Sequence, residues 1–520
     1  MRSDPHPPMT SALSASPLAG LTALKKEASR RSWFRNKRFV YYGGSGLDSH
    51  MLSHFLNVSM VICDDDGDDI RRGIDEGWGA KVFSYERGKR VRPGSSDAFD
   101  LYFLKDHQEE ISRAIAGWGD EKNVCFVAFN STLDLQEFLF HKERNFHLLQ
   151  NPVIVQNYFD YKARLAWRAD QLGIPIPPES SLGFFAGIRY RELADKYEGA
   201  FVVQVPLSAA GHGTDIIRSE DDFNRMIEEK RGMLGSHFPN TQVKITRFLP
   251  GPSLNCTASI CNGEIVLSQP CVQIVGDPAV TTSPTQYSGS DFSLRGIAPE
   301  LKSRILDIMV RVGRWMGNNC YRGNFGIDFL TTLDSRGVPD TVYVSEINAR
   351  LVGESQYLAD FQAMKNMVPL SFFHVAEFLK LDISQEDIRR YNADLPEIEG
   401  SNIIVCNNQK GIFRCPGTLK AGRYGCRDGR LVYKGFALSL SESRDTDEFV
   451  VTSGVPWEDL VLGHPRYGDL NVPVFCLQTR ESVMDPADWR ILSPKWRDTV
   501  TMVRDALGLT PCPPRSLQEH

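Results

Sequence analysis

The feature that most constrains the fold is the stretch 342–350, Val-Tyr-Val-Ser-Glu-Ile-Asn-Ala-Arg, a strand-like run that ends in three polar residues at every second position. Successive side chains of a β-strand alternate between its faces, so Glu346, Asn348 and Arg350 point the same way. A carboxylate and an amide oxygen are ligands that Mg²⁺ prefers, and an arginine can bind a carboxylate or phosphate through two parallel hydrogen bonds. Taken alone, the pattern also fits an exposed strand end.

Length and composition exclude several classes of protein. The 520 residues suffice for several domains, and 42% hydrophobic with 24% charged residues is ordinary for a globular chain. A net charge of −6 does not indicate nucleic-acid binding, and no apolar run is long enough to cross a bilayer. The 11 cysteines lack any C-x-x-C pair, which favours free thiols in a reducing cytoplasm. We therefore expect a cytoplasmic protein with neither nucleic-acid nor membrane partners.

The first part of the chain is predicted to be a leader followed by an open α/β domain. Residues 1–35, rich in Pro, Ser and Ala, predict a disordered leader without a signal-peptide core. Strands alternate with helical stretches over 36–150. The glycines that follow the first strand predict a tight turn rather than a dinucleotide loop, because the G-x-G-x-x-G spacing is missing. The acidic run 64–69 is expected to be a solvated loop.

The middle of the chain predicts a lysine-bearing helix and then a hairpin. The helix begins near Lys162 and ends at Gly173, where an extended proline-rich segment follows. Strands over 200–205 and 214–218 flank a loop of small residues with two glycines, which can bring backbone N–H groups close to a phosphate. Hairpin loops need glycine in any case, so this loop alone decides little.

The next segments contain a predicted strand that lies beside the stretch 342–350. Asn262-Gly263 predicts a second hairpin, and 270–296, which shows no period, predicts a loop that covers a substrate. After an amphipathic helix over 301–316, a strand carries Asp328 and turns back into 342–350. Asp328 and Glu346 therefore lie on neighbouring strands, a more specific arrangement than either strand alone. From residue 401 to 520 the chain is strand-rich, which predicts a small β-rich C-terminal domain.

Taken in order, these segments resemble the ATP-grasp superfamily of carboxylate–amine ligases and biotin-carboxylase-like enzymes over roughly residues 145–360. The resemblance implies the α/β (α+β) ATP-grasp fold, with an N-terminal open α/β domain, an ATP-grasp domain over 151–400 and a hairpin-bearing mobile lid at about 190–268. It also implies ATP and Mg²⁺ or Mn²⁺, with two ions bound. The implied metal ligands are Asp328, Glu346 and Asn348.

The resemblance assigns further roles residue by residue. Arg350 corresponds to the arginine that steadies an acyl-phosphate or oxyanion, and Glu354 lies where biotin-carboxylase-like members carry a catalytic glutamate. The implied nucleotide-binding residues are Lys162, Gln204, Ser208, Gly211, His212, Gly213, Thr214, Arg247, Phe248 and Leu249. Gln204 departs from the family pattern because it replaces the second phosphate lysine. Phosphate would then be neutralised by Lys162, Mg²⁺ and either His212 or Arg247.

The implied reaction is the ADP-forming joining of a small-molecule carboxylate to an amine through an acyl-phosphate, in specialised metabolism, by a protein that could be a homodimer. Two alternatives stay open from the sequence. Glu354 favours a bicarbonate-activating carboxylase, although a glycine-rich run before Gly213 is missing. Gln204 favours a nucleotide-binding module without catalysis, against which the full set around Glu346 argues.

Overall fold

The computed structural model describes residues 16–92, 102–119, 123–140, 146–207, 213–293, 297–443, 445–463 and 471–512. One parallel sheet and several antiparallel sheets are combined with helices, which confirms the predicted α/β (α+β) class. Within the described part of the chain, no helix is both long and apolar enough to cross a membrane.

The N-terminal region is an open, parallel α/β layer. Its elements, numbered in chain order, are α1 (Leu21–Arg30), β1 (Arg38–Ser45), α2 (His50–Ser53), β2 (Val58–Asp65), α3 (Asp68–Asp75), β3 (Lys81–Ser84), α4 (Tyr85–Lys89), β4 (Val91–Arg92), α5 (Tyr102–Ala116), β5 (Val124–Ala128), α6 (Leu133–Phe140), β6 (His147–Leu148) and α7 (Val153–Asp160). Five strands pair in the order β3-β2-β1-β5-β6. The winding reverses between β1 and β5, and open α/β sheets bind ligands outside the strand ends at such a point.

The predicted disordered leader is wrong for residues 16–35. Helix α1 buries Leu21 and Leu24, and the Leu21 backbone N–H donates to the carbonyl of Asn366 at 2.7 Å. The apolar positions of α1 are too few to reveal a packed helix, because their partners lie far away in the sequence. The expected tight glycine turn is also corrected, since Gly43 and Gly44 continue β1.

A small antiparallel subdomain spans residues 181–247. The elements from α8 onward are α8 (Lys162–Leu172), β7 (Ser181–Phe184), α9 (Tyr190–Tyr197), β8 (Phe201–Gln204), β9 (Thr214–Ile217), α10 (Glu220–Leu234) and β10 (Gln242–Arg247). Its strands pair in the order β7-β10-β8-β9 around a core of its own. The helix α10 begins at Ser219, whose hydroxyl accepts the Asp222 N–H at 3.1 Å. The mobile lid expected at about 190–268 overlaps this subdomain, and its bounds stay a prediction.

One large antiparallel sheet occupies the rest of the chain. Its first half contains β11 (Leu254–Cys261), β12 (Glu264–Leu267), β13 (Cys271–Val275), β14 (Tyr287–Asp291), α11 (Pro299–Asn318), β15 (Gly323–Leu333), β16 (Pro339–Asn348), α12 (Ser355–Met364), α13 (Leu370–Phe378) and α14 (Gln385–Ala393). The predicted loop over 270–296 is corrected, because β13 and β14 pair within it and only 276–286 connects them; 294–296 lie outside the described residues.

Five of the ten described C-terminal strands extend this sheet, and the other five pair in two smaller sheets. The ten are β17 (Ser401–Asn407), β18 (Phe413–Arg414), β19 (Gly422–Arg427), β20 (Arg430–Gly435), β21 (Phe449–Thr452), β22 (Val461–Leu462), β23 (Val472–Thr479), β24 (Met484–Asp485), β25 (Asp488–Leu492) and β26 (Thr510–Pro511), with α15 (Pro494–Asp505). The sheet has 11 strands, in the order β16-β15-β11-β13-β14-β17-β23-β21-β19-β20 with β12 beside β11. β14 pairs directly with β17 and one hydrophobic core joins both halves, so the strand-rich segment 401–520 packs as a continuation of the large sheet, and its boundary as a domain stays a prediction.

Candidate active site

A cavity of about 1040 Å³ is formed jointly by all these regions. Its lining includes Ser45 and Asp65 from the parallel sheet, Gln204 and Thr214 from the small subdomain, Asp328 and Glu346 from the large sheet, and Asn471 and Arg490 from the C-terminal strands. A cavity of this size, with a few convergent charged groups, is the usual form of a small-molecule site. Asp328 on β15 and Glu346 on β16 therefore face this cavity.

The antiparallel register of β15 and β16 brings the three predicted metal ligands together. Asp328 lies opposite Glu346, and Asn348 donates from Nδ2 to Asp328 Oδ2 at 3.0 Å. Asp328 Oδ1 also accepts from Asn255 Nδ2 at 2.6 Å and from Gln273 Nε2 at 3.0 Å. Two carboxylates with an amide form an oxygen donor set that fits Mg²⁺ or Mn²⁺.

The electrostatics of this edge also fit a divalent cation. Burial and the neighbouring Glu346 carboxylate raise the pKa of Asp328 to about 8. Burial acts to raise the pKa of Glu346 as well, but the ammonium of Lys162, 2.9 Å from its Oε2, leaves that pKa lowered. A bound cation would stabilise both carboxylates in their charged form. Lys162 thus belongs to the same cluster as the acidic pair, as the resemblance implied.

Arg350 is held beside this edge by a residue that sequence reasoning missed. Its guanidinium NH1 lies 3.6 Å from Asp160 Oδ1, and the same oxygen accepts the Ala349 N–H at 2.6 Å. Asp160 is the last residue of α7, so it ties the end of β16 to the N-terminal region. In the sequence, only its position two residues before Lys162 could have indicated that Asp160 belongs to the site. Arg350 remains 17% exposed and lines the cavity, where it can contact a ligand.

Glu354 lies at the cavity wall as a buried carboxyl. Its Oε1 accepts from the Thr257 hydroxyl at 2.9 Å, and the residue is 2% exposed. Burial raises the pKa of Glu354, with Thr257 and Arg350 acting in the opposite direction. The side chain is therefore positioned by β11, and its catalytic role stays a prediction.

The small subdomain contributes the other side of the cavity. Gln204 pairs in register with Thr214 and donates from Nε2 to its hydroxyl at 3.3 Å. The Gly213 carbonyl accepts the Val205 N–H at 2.8 Å, which closes the base of the predicted hairpin. Three of the predicted loop residues lie outside the described residues: Ser208, Gly211 and His212.

A buried lysine on the neighbouring strand was missed from the sequence. Lys244 lies directly opposite Gln204, is 2% exposed, and donates from Nζ to the Ser345 carbonyl at 2.6 Å. Burial lowers the pKa of Lys244 to about 8, and the charge of Lys162 acts in the same direction. Cross-strand pairing could have revealed it, because residues opposite each other in an antiparallel pair share a face. A second lysine is therefore present, on β10 opposite Gln204 instead of at position 204 itself.

The residues predicted to hold the adenine divide between cavity and surface. Phe248 and Leu249 line the cavity directly after β10, and the Phe248 N–H already donates to the Ala200 carbonyl at 3.1 Å. Arg247 is a correction. Its guanidinium lies on the outer side of the subdomain, 2.9 Å from Glu179 and 3.7 Å from Glu198, because alternate residues of a strand face opposite sides. It is not available to neutralise phosphate in the cavity.

An acidic wall, defined as Asp48, Asp64, Asp65 and Glu86, lines the part of the cavity formed by the parallel sheet. The expectation of a solvated acidic loop is wrong here, because Asp64 and Asp65 end β2 at the cavity. Burial raises the pKa of Asp65 to about 6 and that of Glu86 to about 7. Arg92 is the cation of this wall and is paired with Glu86 through two nitrogens. Burial also raises the pKa of Asp48 to about 8, so Asp65 is the carboxyl of the acidic wall best placed to be charged near neutral pH and to attract a cationic ligand.

No protein-family model and no curated protein sequence matches the chain. The biotin carboxylase domain dimer of Hydrogenobacter thermophilus 2-oxoglutarate carboxylase, solved with MgADP, ADP and bicarbonate, is 14% identical over 86% of each chain, with a TM-score of 0.54. Biotin carboxylase from Campylobacter jejuni, solved as an ATP complex, is 12% identical over 86% of this chain and 88% of that one, with a TM-score of 0.55.

A further similar structure is the ADP complex of N5-carboxyaminoimidazole ribonucleotide synthetase. It is 10% identical over 91% of this chain and 98% of that chain, with a TM-score of 0.50. Together these likenesses show that the chain has the ATP-grasp fold, with a biotin-carboxylase-like core. The fold implied by the sequence resemblance is thereby confirmed.

Proposed function

We propose that this protein is an ATP-dependent carboxylate–amine ligase that joins an amino acid-like carboxylate to an amine and releases ADP and phosphate. The observation that carries the proposal is the cluster of Asp328, Glu346, Asn348, Lys162 and Arg350 at one edge of a cavity whose wall elsewhere is acidic. Nucleotide and Mg²⁺ are present in solved structures of the same fold. Mn²⁺ could replace Mg²⁺, since both take oxygen ligands.

The chemistry explains why such a cluster is useful. A carboxylate is a poor electrophile, so one of its oxygens first attacks the γ-phosphorus and the bond to the ADP oxygen breaks. The amine nitrogen then attacks the acyl carbon, the bond to phosphate breaks, and the nitrogen loses a proton. Phosphoryl transfer depends on positioning and on neutralising charge. Cations bound at Asp328 and Glu346 would supply part of that neutralisation.

The residues of the chain divide these tasks. Lys162 and Lys244 provide buried positive charge for phosphate oxygens, and Arg350 is placed to hold the acyl-phosphate or the developing oxyanion. Phe248 and Leu249 provide an apolar wall for the adenine. Gln204, Gly213 and Thr214 border the phosphates from the small subdomain, and Glu354 is a candidate general base at the far wall. These assignments would account for nucleotide binding and acyl activation.

The acidic wall supports an amine rather than bicarbonate as the second substrate. Asp65, the carboxyl of this wall with a pKa of about 6, would repel an anion and attract an ammonium group. We propose that the acceptor is an amine with a further positive charge, such as a diamine or a basic amino acid. Bicarbonate, which is bound in one solved structure of this fold, is the main rival.

The test measures ADP and phosphate release by the full-length protein with ATP, Mg²⁺ and mixtures of carboxylates, while the second substrate is varied. The arms contain diamines and basic amino acids, neutral amino acids, bicarbonate without amine, and no second substrate. Product mass identifies an amide by the loss of one water from the two substrates. A matched pair of variants, Glu346→Gln and Asp340→Asn, separates the cavity edge from the exposed part of the same strand.

Amine-dependent ADP formation with a new amide mass, highest with cationic amines, supports the proposal. Turnover that needs bicarbonate and no amine would replace it with a carboxylase. Tight ATP binding without turnover in any arm would indicate a binding module. A homodimer stays a prediction, measured by light scattering of the full-length protein.

A further inference from the structure

A second polar cluster lies outside the cavity lining, between α2 and α12. His50 and His54 are one helical turn apart, with ring centroids separated by 5.2 Å. Both rings face Asp360: His50 Nδ1 is 3.2 Å and His54 Nε2 is 2.7 Å from its Oδ1. The Asp360 side chain is 0% exposed and the two imidazoles are 14% and 11% exposed. The cluster is therefore enclosed by the N-terminal region and by the helix that follows Glu354.

The hydrogen bonds of the cluster leave one buried oxygen unused. Both imidazoles converge on Asp360 Oδ1, whereas Oδ2 has no hydrogen-bond partner among the described residues. A buried carboxylate normally has partners on both oxygens, because an unsatisfied one costs about 1–3 kcal/mol. Gln356, four residues earlier on α12, is 1% exposed, and neither atom of its amide has a partner in the described part of the chain. These unused atoms require an explanation.

The geometry points to a transition-metal ion, and we infer that His50, His54 and Asp360 form a Zn²⁺ site. The three ligand atoms all lie within 4.8 Å of one another. Ligands of a tetrahedral zinc ion are separated by roughly 3.3 Å, since each is about 2.0–2.1 Å from the metal. The His50 distance of 3.2 Å already meets this spacing, and the His54 distance of 2.7 Å needs an outward movement of roughly half an ångström.

The donor set selects the class of metal. Two imidazoles and one carboxylate suit Zn²⁺ and are poor ligands for Mg²⁺, which takes oxygen atoms. The site consequently differs in chemistry from the oxygen-rich edge at Asp328. Water or the Gln356 amide oxygen would complete the four ligands.

The site would link two parts of the cavity wall. Asp48 lies two residues before His50 and belongs to the acidic wall, and Asp360 is on α12, which begins directly after Glu354. A metal joining α2 to α12 would hold these walls at a fixed separation. Its role is structural, and it does not depend on the ligase proposal.

The test uses the full-length protein after chelation and dialysis, titrated with Zn²⁺ and, in parallel, with Co²⁺, whose d–d absorption reports tetrahedral nitrogen and oxygen ligands. Excess Mg²⁺ is present to occupy the acidic edge at Asp328, and Glu346→Gln repeats the titration with that edge disabled. His54→Gln and Asp360→Asn remove ligands with little change in shape. His237→Gln, on an exposed segment, is the matched histidine control.

We expect one tightly bound Zn²⁺, a tetrahedral Co²⁺ spectrum and a higher thermal midpoint with metal. His54→Gln and Asp360→Asn should each weaken binding by more than roughly tenfold, since even losing a hydrogen-bonding partner of a metal ligand costs that much. His237→Gln and Glu346→Gln should retain it. Failure of the wild-type protein to bind Zn²⁺ or Co²⁺, or unchanged affinity in both ligand variants, would overturn the inference and leave a metal-free His–Asp–His cluster.

Discussion

Lys244 on β10 lies directly opposite Gln204 on β8, and its ammonium donates to the carbonyl of Ser345 beside Glu346. The positive charge that the family pattern expects at position 204 is thus present on the adjacent strand. Because both residues project from the same face of the small subdomain, the exchange preserves the local charge while changing which strand supplies it. The departure at Gln204 therefore does not by itself indicate a loss of catalysis.

Replacing Lys244 should weaken nucleotide binding. We expect Lys244→Met to raise the Kd for ATP by about 10–100-fold, because a hydrogen bond from a charged group contributes about 1.5–3 kcal/mol. Calorimetry with Mg²⁺ and ATP measures the change. Arg247→Met, on the same strand but paired outside with Glu179, should change the Kd less than twofold. Equal losses in both variants would remove Lys244 from the nucleotide site.

The cluster around Asp328 and Glu346 leads to a second prediction, about Mg²⁺ binding and ATP turnover. Glu346→Gln removes the negative charge that faces Lys162 and Asp328, so Mg²⁺ should bind at least tenfold more weakly and ATP turnover should fall by about a hundredfold or more. Mn²⁺ paramagnetic relaxation and phosphate release measure the two effects. Asp340→Asn lies on the exposed part of β16 and should retain both. Full turnover in Glu346→Gln would contradict the metal assignment.

Asp65 predicts how amine binding responds to pH. Burial raises the pKa of Asp65 to about 6, and a bound ammonium should lower that pKa again. Affinity for a cationic amine should therefore be full above pH ~6 and should fall as the pH drops below ~6, where the free carboxyl is protonated. Asp65→Asn should raise the KM for the amine about tenfold and flatten this dependence.

The matched control for this experiment is Asp75→Asn, which alters an exposed carboxyl at the end of α3. It should leave both the amine KM and its pH profile unchanged. An Asp65→Asn variant with the wild-type profile would place the amine elsewhere in the cavity.

Replacing Arg92 should lower the stability of the protein. Its side chain is 7% exposed, is paired with Glu86, and donates to the Gly454 carbonyl at 2.6 Å. Arg92→Met leaves a buried carboxylate unpaired, so the free energy of unfolding should fall by about 3–5 kcal/mol. Denaturant unfolding measures it. Arg90→Met, whose guanidinium is 52% exposed, should change it by less than about 1 kcal/mol.

Local patterns in the sequence determined several elements correctly. The Asn262-Gly263 turn, the helix from Lys162 to Gly173 and the alternation in 342–350 each depend on neighbours within a few residues. Such signals survive without tertiary context, because hydrogen-bond geometry and side-chain period are local. The same alternation correctly placed Asp328 opposite Glu346.

Only the tertiary structure decided which distant residues share the site. Strand pairing and packing bring together Lys244, Asp160 and the acidic wall, which come from distant segments of the chain. No local sequence pattern indicates that these residues meet. The same limit explains two features that the sequence did not reveal: α1 packs against Asn366, and β17 joins the large sheet through β14. Burial and pairing are properties of the folded chain, so the sequence by itself determined that Asp328 and Glu346 lie opposite each other, and the fold decided the rest of the cavity.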